Sequence, residues 1–146
     1  MKKTVFGLLA TLALLQVRAG ELEWLTDLPK AQAKAREEKK MVMMDFTGSD
    51  WCGWCIKLDK EVFSTAEFAE YAKKNLVLVE VDFPNKKKQS AELKKANNEL
   101  QKKYKIGGYP TIIVLNSEGK QIGELGYMKG GPKAFTAELE KLKKKA

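Results

Sequence analysis

The chain's only two cysteines, Cys52 and Cys55, stand two residues apart in Trp51-Cys52-Gly53-Trp54-Cys55, directly behind an apolar run that reads as a buried strand. A strand that must turn and hand over to a helix within so few residues restricts the fold sharply, because the pair has to sit at the end of a sheet. The spacing also restricts the chemistry. A ring this short stabilises by about 2 kcal/mol on the chain-entropy estimate, against about 3 kcal/mol for a fifteen-residue loop, and strain is worst in the tightest rings. Such a bond is better suited to exchange with another molecule than to stapling the fold.

The rest of the chain reads as alternating elements. Asp27-Leu28-Pro29 opens a helix running to about Lys39. Met41 to Phe46 is a central strand, Thr47 to Asp50 a turn, and Cys52 the start of a helix carrying Ile56, Leu58 and Val62. Ser64-Thr65-Ala66-Glu67 reads as a capping box opening a further helix with Phe68, Tyr71 and Ala72 inward. Leu76 to Val81 is the second clear strand. The segment 86–105 reads as one long helix with Leu93, Leu100 and Tyr104 on an apolar stripe. Thr111 to Leu115 and Gln121 to Leu125 form a hairpin about the turn at Asn116 to Gly119. Gly130-Gly131-Pro132 opens a final helix with Phe135, Leu139 and Leu142 on one face. The order β-α-β-α-β-β-α predicts an α/β fold: a mixed sheet of four to five strands with helices on both faces.

The first residues have another character. Lys2 and Lys3 precede an apolar run, Val5 to Leu15, and Val17-Arg18-Ala19-Gly20 supplies a small-residue cleavage point, the order of a secretory signal. Residues 1–19 are therefore expected to be a cleavable signal peptide and 20–146 the domain. The apolar run is too short for a permanent membrane helix, so a periplasmic or secreted protein is expected. Removing Lys2, Lys3 and Arg18, with no acid in that stretch, takes the formal charge from +8 to +5. The lysine runs 86–88 and 143–145 lack interleaved aromatics, so they read as solvated faces and not as a nucleic-acid site. Histidine is absent. Its absence excludes Cys-His and Ser-His catalysis, and two thiolates supply only half of a closed zinc site, so no metal is expected.

Exchange needs a thiolate, and a cysteine at a helix N-terminus has one stabilised by unpaired N–H groups. Cys52 is so placed and is expected to be the exposed nucleophile, with Cys55 the resolving thiol. Together, the strand ending at Asp45-Phe46, the cysteine motif, the strand ending at Val81-Asp82 and the distant Gly108-Tyr109-Pro110-Thr111 resemble the thioredoxin fold over residues 24–144. More narrowly the chain resembles the exported thioredoxin-like proteins of bacteria. The resemblance implies that Pro110 is a cis-proline facing the cysteines, although from the residues alone Tyr109-Pro110 is a loop exit with an ordinary trans bond. It also implies that Tyr109 offers backbone hydrogen bonds to a substrate strand, that Trp51 flanks the nucleophile, and that Asp45 is a buried acid moving the proton of Cys55. The link from Asp45 to the motif is one residue longer than is usual in the family, which leaves the direction of that carboxyl for the structure to decide.

The dipeptide Gly53-Trp54 replaces the Gly-Pro of reducing thioredoxins. No imidazolium is available to lower the Cys52 pKa, which argues against a strong oxidase. A reducing or exchanging protein-disulfide oxidoreductase is therefore expected, a monomer whose only redox group is the cysteine pair, without cofactor, acting on protein disulfides and served by a separate redox partner. Net oxidation of exported proteins is the alternative within enzymes, and a thioredoxin-fold binding module or chaperone is the alternative outside them. The segment between Asp82 and Pro110 exceeds a minimal thioredoxin by about a dozen residues; it reads as solvated decoration, with a partner surface as the alternative.

Overall fold

The computed structural model describes residues 21–145; the expected signal segment, 1–19, lies outside them. In chain order the elements are β1 (Trp24–Leu25), α1 (Leu28–Glu38), β2 (Met41–Thr47), α2 (Gly53–Leu58), a π-helical turn (Asp59–Phe63), α3 (Ala66–Asn75), β3 (Leu76–Asp82), α4 (Ala91–Lys103), β4 (Thr111–Leu115), β5 (Gln121–Leu125) and α5 (Gly131–Lys143).

Strand β2 is buried along its whole length because it is covered on both edges and both faces. Its edges pair with β3 in parallel and β4 in antiparallel, within a five-stranded sheet of order β1-β3-β2-β4-β5. Its side chains alternate between two apolar cores. Met41 and Met43 join Leu58, Val62, Phe68 and Phe135 on the face covered by α2, α3 and α5. Val42, Met44 and Phe46 join Ala31, Ala35 and the partly buried Leu100 on the face covered by α1 and α4. A strand wedged in this way needs apolar residues at consecutive positions, as the run Met41 to Phe46 has.

Local signals behave largely as their chemistry dictates. Asp27 caps α1, accepting from the Lys30 N–H at 3.0 Å. The hairpin closes on the Asn116 carboxamide oxygen, which accepts from the Glu118 and Lys120 N–H groups, with Gly119 at φ 88°. Gly130 and Gly131, both at positive φ, make the turn into α5.

Two expectations need correction, and one element was not read from the sequence. The cap of α3 is Thr65, whose hydroxyl accepts from the Phe68 N–H, whereas Ser64 turns back to donate to Asp59. The π-helical turn shifts the register by a residue and makes Thr65 the first residue free to cap. The helix expected over 86–105 occupies only Ala91–Lys103 and is capped by Ser90. Its would-be first turn is drawn out of helical geometry because the N–H groups of Lys86 and Lys87 go to the Asp50 carboxylate. The inward face of α4 also includes Asn97, fully buried and donating to the Asp82 carbonyl at 3.0 Å. Finally, Trp24 and Leu25 add a parallel edge strand beside β3, too short to carry any periodic signal.

Candidate active site

The cysteines lie where the carboxyl end of β2 meets the start of α2. Backbone bonds from the N–H groups of Trp51 (3.2 Å) and Cys52 (2.8 Å) to the Gly48 carbonyl close the turn between them. A Cβ at Gly48 would collide with the Trp51 indole, so the turn needs glycine there. Cys52 is the N-cap of α2, and its sulfur accepts the Cys55 N–H at 3.2 Å. The two sulfurs are joined as a disulfide, with Cα atoms 5.2 Å apart. Cys52 is only 7% exposed in this oxidised form, against an expectation of an exposed nucleophile. Its sulfur turns toward the helix to meet Cys55, and the exposure falls instead to Trp51 (46%) and Trp54 (56%).

Each tryptophan is held from outside the motif. The Trp51 indole N–H donates to the Phe83 carbonyl at 2.7 Å and meets Tyr109 edge-on at 5.9 Å. Trp54 packs on Tyr127 at 4.9 Å, the Lys57 ammonium lies over both rings, and the Tyr127 hydroxyl donates to Glu61. Gly53, between the cysteines, has open space where a Cβ would stand. The Tyr109-Pro110 bond is cis, the geometry the resemblance implied and the residues alone did not. Among the described residues, Tyr109 takes part in none of the backbone hydrogen bonds of the turns, loops and caps. The Tyr109 ring also stacks on Phe83 at 5.3 Å, and partial burial raises its hydroxyl pKa.

Asp45 sits inside β2 on the same sheet face as Met41 and Met43, the face covered by α2. It is 9% exposed, and its Oδ1 has no hydrogen-bond partner. Burial pushes its pKa up to about 8, with Glu80, Asp59 and Asp82 adding to the shift. Glu80 is the in-register neighbour on β3, and its own pKa is raised by burial and by Asp82. Alternation along β2 thus leaves Asp45 facing the α2 side of the sheet, and burial makes it a carboxyl that is mostly protonated at neutral pH.

Sequence reasoning missed the clamp that holds the active-site turn. Ser49 donates through both its N–H (2.9 Å) and its hydroxyl (2.5 Å) to the Asp82 carboxylate. Asp50 accepts from the N–H groups of Asn85, Lys86 and Lys87 at 2.9, 2.7 and 2.9 Å, and those bonds hold its carboxyl below the usual aspartate range. Ser49 and Asp50 were legible as turn formers, but nothing in the sequence pointed to partners more than thirty residues away.

Comparison with known proteins agrees with this fold. The family model described as a thioredoxin-like domain matches residues 28–143. The disulfide bond reductase DsbH of Chlamydia pneumoniae is 36% identical over 124 residues, spanning 85% of this chain and 74% of that protein. The thiol:disulfide interchange protein DsbD of Vibrio cholerae is 33% identical over 107 residues, 73% of this chain but 16% of DsbD. A solved structure of DsbH oxidoreductase superposes with a TM-score of 0.80 at 36% identity, covering 88% of this chain and 91% of that one. A Thermus thermophilus thioredoxin superposes at a TM-score of 0.61 with 22% identity, covering 83% and 86% of the two chains, a likeness of fold alone.

Proposed function

Since the chain belongs to the thioredoxin-like family and is a thiol-disulfide oxidoreductase, we propose that it works in the reducing direction, on disulfides of exported proteins. The observation that carries this reading is the Cys52–Cys55 pair at the start of α2, its N-cap sulfur receiving the Cys55 N–H, in a chain without histidine. The N–H favours the thiolate of Cys52, while no imidazolium lowers its pKa to the range of strong oxidants. The name of the Chlamydia pneumoniae relative, disulfide bond reductase, points the same way.

The reaction runs in two exchanges. The Cys52 thiolate attacks one sulfur of a substrate disulfide, forming a mixed disulfide and releasing the other sulfur as a thiolate that takes a proton. Cys55, deprotonated, then attacks Cys52, releasing the second substrate thiol and closing the Cys52–Cys55 bond. Two electrons have passed to the substrate, and a separate dithiol protein returns them. Trp51, Gly53 and Trp54 border the attacked bond, and Tyr109 and Pro110 receive the substrate backbone. In the fraction of molecules in which it is ionised, Asp45 takes the Cys55 proton for the second exchange. Its pKa of about 8 lies close to the ~8.5 of a free thiol, the matching that proton exchange requires. The redox group is the cysteine pair itself, without cofactor or metal. Lys2, Lys3 and the apolar run after them support export, and no helix among the described residues is long and apolar enough to cross a membrane.

Insulin reduction tests the reading. The wild type is expected to turn over, Cys52→Ser to be inactive, and Cys55→Ser to accumulate a mixed disulfide; equal turnover in wild type and Cys52→Ser sinks it. The direction is tested by the reduction potential of the pair, expected close to the thioredoxin value of about −270 mV; a potential near −120 mV reverses it.

A further inference from the structure

Beside Trp51 lies a groove of about 440 Å³ between the active-site turn, the Phe83–Gln89 segment and α4. Trp51, Phe83 and Tyr109 supply its aromatic lining, Lys94 comes from α4, and Lys87 from the segment before it, with its ammonium at the Ser49 hydroxyl of the active-site turn. It begins one residue from the nucleophile. No carboxylate lines it. Of the acids around Lys87, Asp82 accepts from Ser49 and Asp50 from three backbone N–H groups, while the partly buried Glu80 also feels the lysine's charge. The Lys87 ammonium donates to the Ser49 hydroxyl at 3.0 Å, and the ion pairs among the described residues include none of Lys86, Lys87, Lys88 or Lys94.

The position of these lysines is enforced. Asp50 takes the N–H groups of Lys86 and Lys87, Gln89 donates to the Asp82 carbonyl, and Asn97 anchors α4 to the same carbonyl from beneath. The same bonds that shape the turn before Cys52 therefore fix the backbone that carries Lys87, whose ammonium reaches the Ser49 hydroxyl of that turn. A solvated lysine run would not need such anchorage.

We propose that this groove is a recognition subsite for acidic polypeptide: it receives carboxylate side chains lying within a few residues of the substrate cysteine that Cys52 attacks, with Lys87 and Lys94 as their partners. The inference rests on the oxidoreductase reading above and adds the substrate class. Charge of one sign in a cleft raises the encounter rate of the opposite sign, and salt suppresses the effect.

The test is a single-turnover measurement with the full-length protein, reduced with dithiothreitol and desalted. The substrates are disulfide peptides identical except for paired Glu, Gln or Lys residues placed N-terminal or C-terminal to one cysteine. In at least one placement the Glu peptide is expected to react roughly five- to tenfold faster than its Gln counterpart at low salt. The gap is expected to narrow in 1 M salt, where the Debye length falls to about 3 Å. Lys87→Glu/Lys94→Glu is expected to invert the order, and Lys120→Glu, a charge change at the far end of the sheet, to keep it. Equal rates for Glu and Gln peptides in the wild type, or a preference that survives the double substitution, overturn the proposal while leaving the redox reading standing. If neither the peptides nor insulin is reduced, the redox reading falls and takes this one with it.

Discussion

Asp45 holds a proton at neutral pH because burial disfavours its charged form, and Glu80, Asp59 and Asp82 all push in the same direction. The unfolded chain releases that proton near pH 4 and the folded one near pH 8, so the folded state binds more protons between these values. The contribution to stability is thus fully present below the unfolded value and is lost as pH rises through the folded one. The slope reaches about 1.4 kcal/mol per pH unit for a single proton. Asp45→Asn is expected to remove that decline, measured as urea midpoints at pH 5 and pH 8; a slope unchanged in the variant would show that the proton resides elsewhere. The same substitution is expected to slow resolution of the mixed disulfide by about tenfold or more, since it removes the carboxyl proposed to take the Cys55 proton in its ionised fraction. That Asp45 is an acid behind the motif was legible as a carboxylate ending an apolar strand. Its protonation was not, because the pKa depends first on burial and then on Glu80 and Asp59, and all three arise only when β3 and the π-helical turn are in place.

Between elements, the Asp50 clamp joins the turn before α2 to the segment before α4. Its carboxyl has a depressed pKa, so the clamp is intact above the ordinary aspartate range and is lost as pH falls through the folded value. Asp50→Ala is expected to speed hydrogen exchange at Asn85, Lys86 and Lys87 severalfold at pH 7 while leaving the amides of β2 protected. In the wild type the same amides are expected to lose protection on acidification. If their exchange is indifferent to the substitution, the bonds do not hold the segment in solution. The clamp also explains why helix propensity overstated α4: lysines at 86–88 favour helix, but a carboxylate already in place takes the N–H groups that would have entered it.

At the scale of the whole molecule, two apolar layers sandwich the sheet, and the layer behind the cysteines is built around Phe63, Phe68 and Phe135. Phe135 lies 5.5 Å from Phe63 and 6.1 Å from Phe68 and is fully buried. Phe135→Ala is expected to destabilise by about 3–5 kcal/mol, the cost of removing a packed ring and leaving a cavity, as measured by urea unfolding. A loss below ~1 kcal/mol would mean the site collapses without penalty. This layer carries α2, so the seating of the cysteine pair depends on it as much as on the motif.

The amino-acid sequence by itself determined whatever depends on neighbours along the chain. The strand at Met41, the cap at Asp27, the hairpin at Asn116 and the cysteine pair at a helix start all follow from side chains a few residues apart. Tertiary structure alone decided what depends on distant neighbours: the charge state of Asp45, the clamp from Asp50 to Lys87, and the groove where Trp51 meets α4. These arise from groups thirty or more residues apart, or from how completely water is excluded, and such quantities exist only once the sheet has closed.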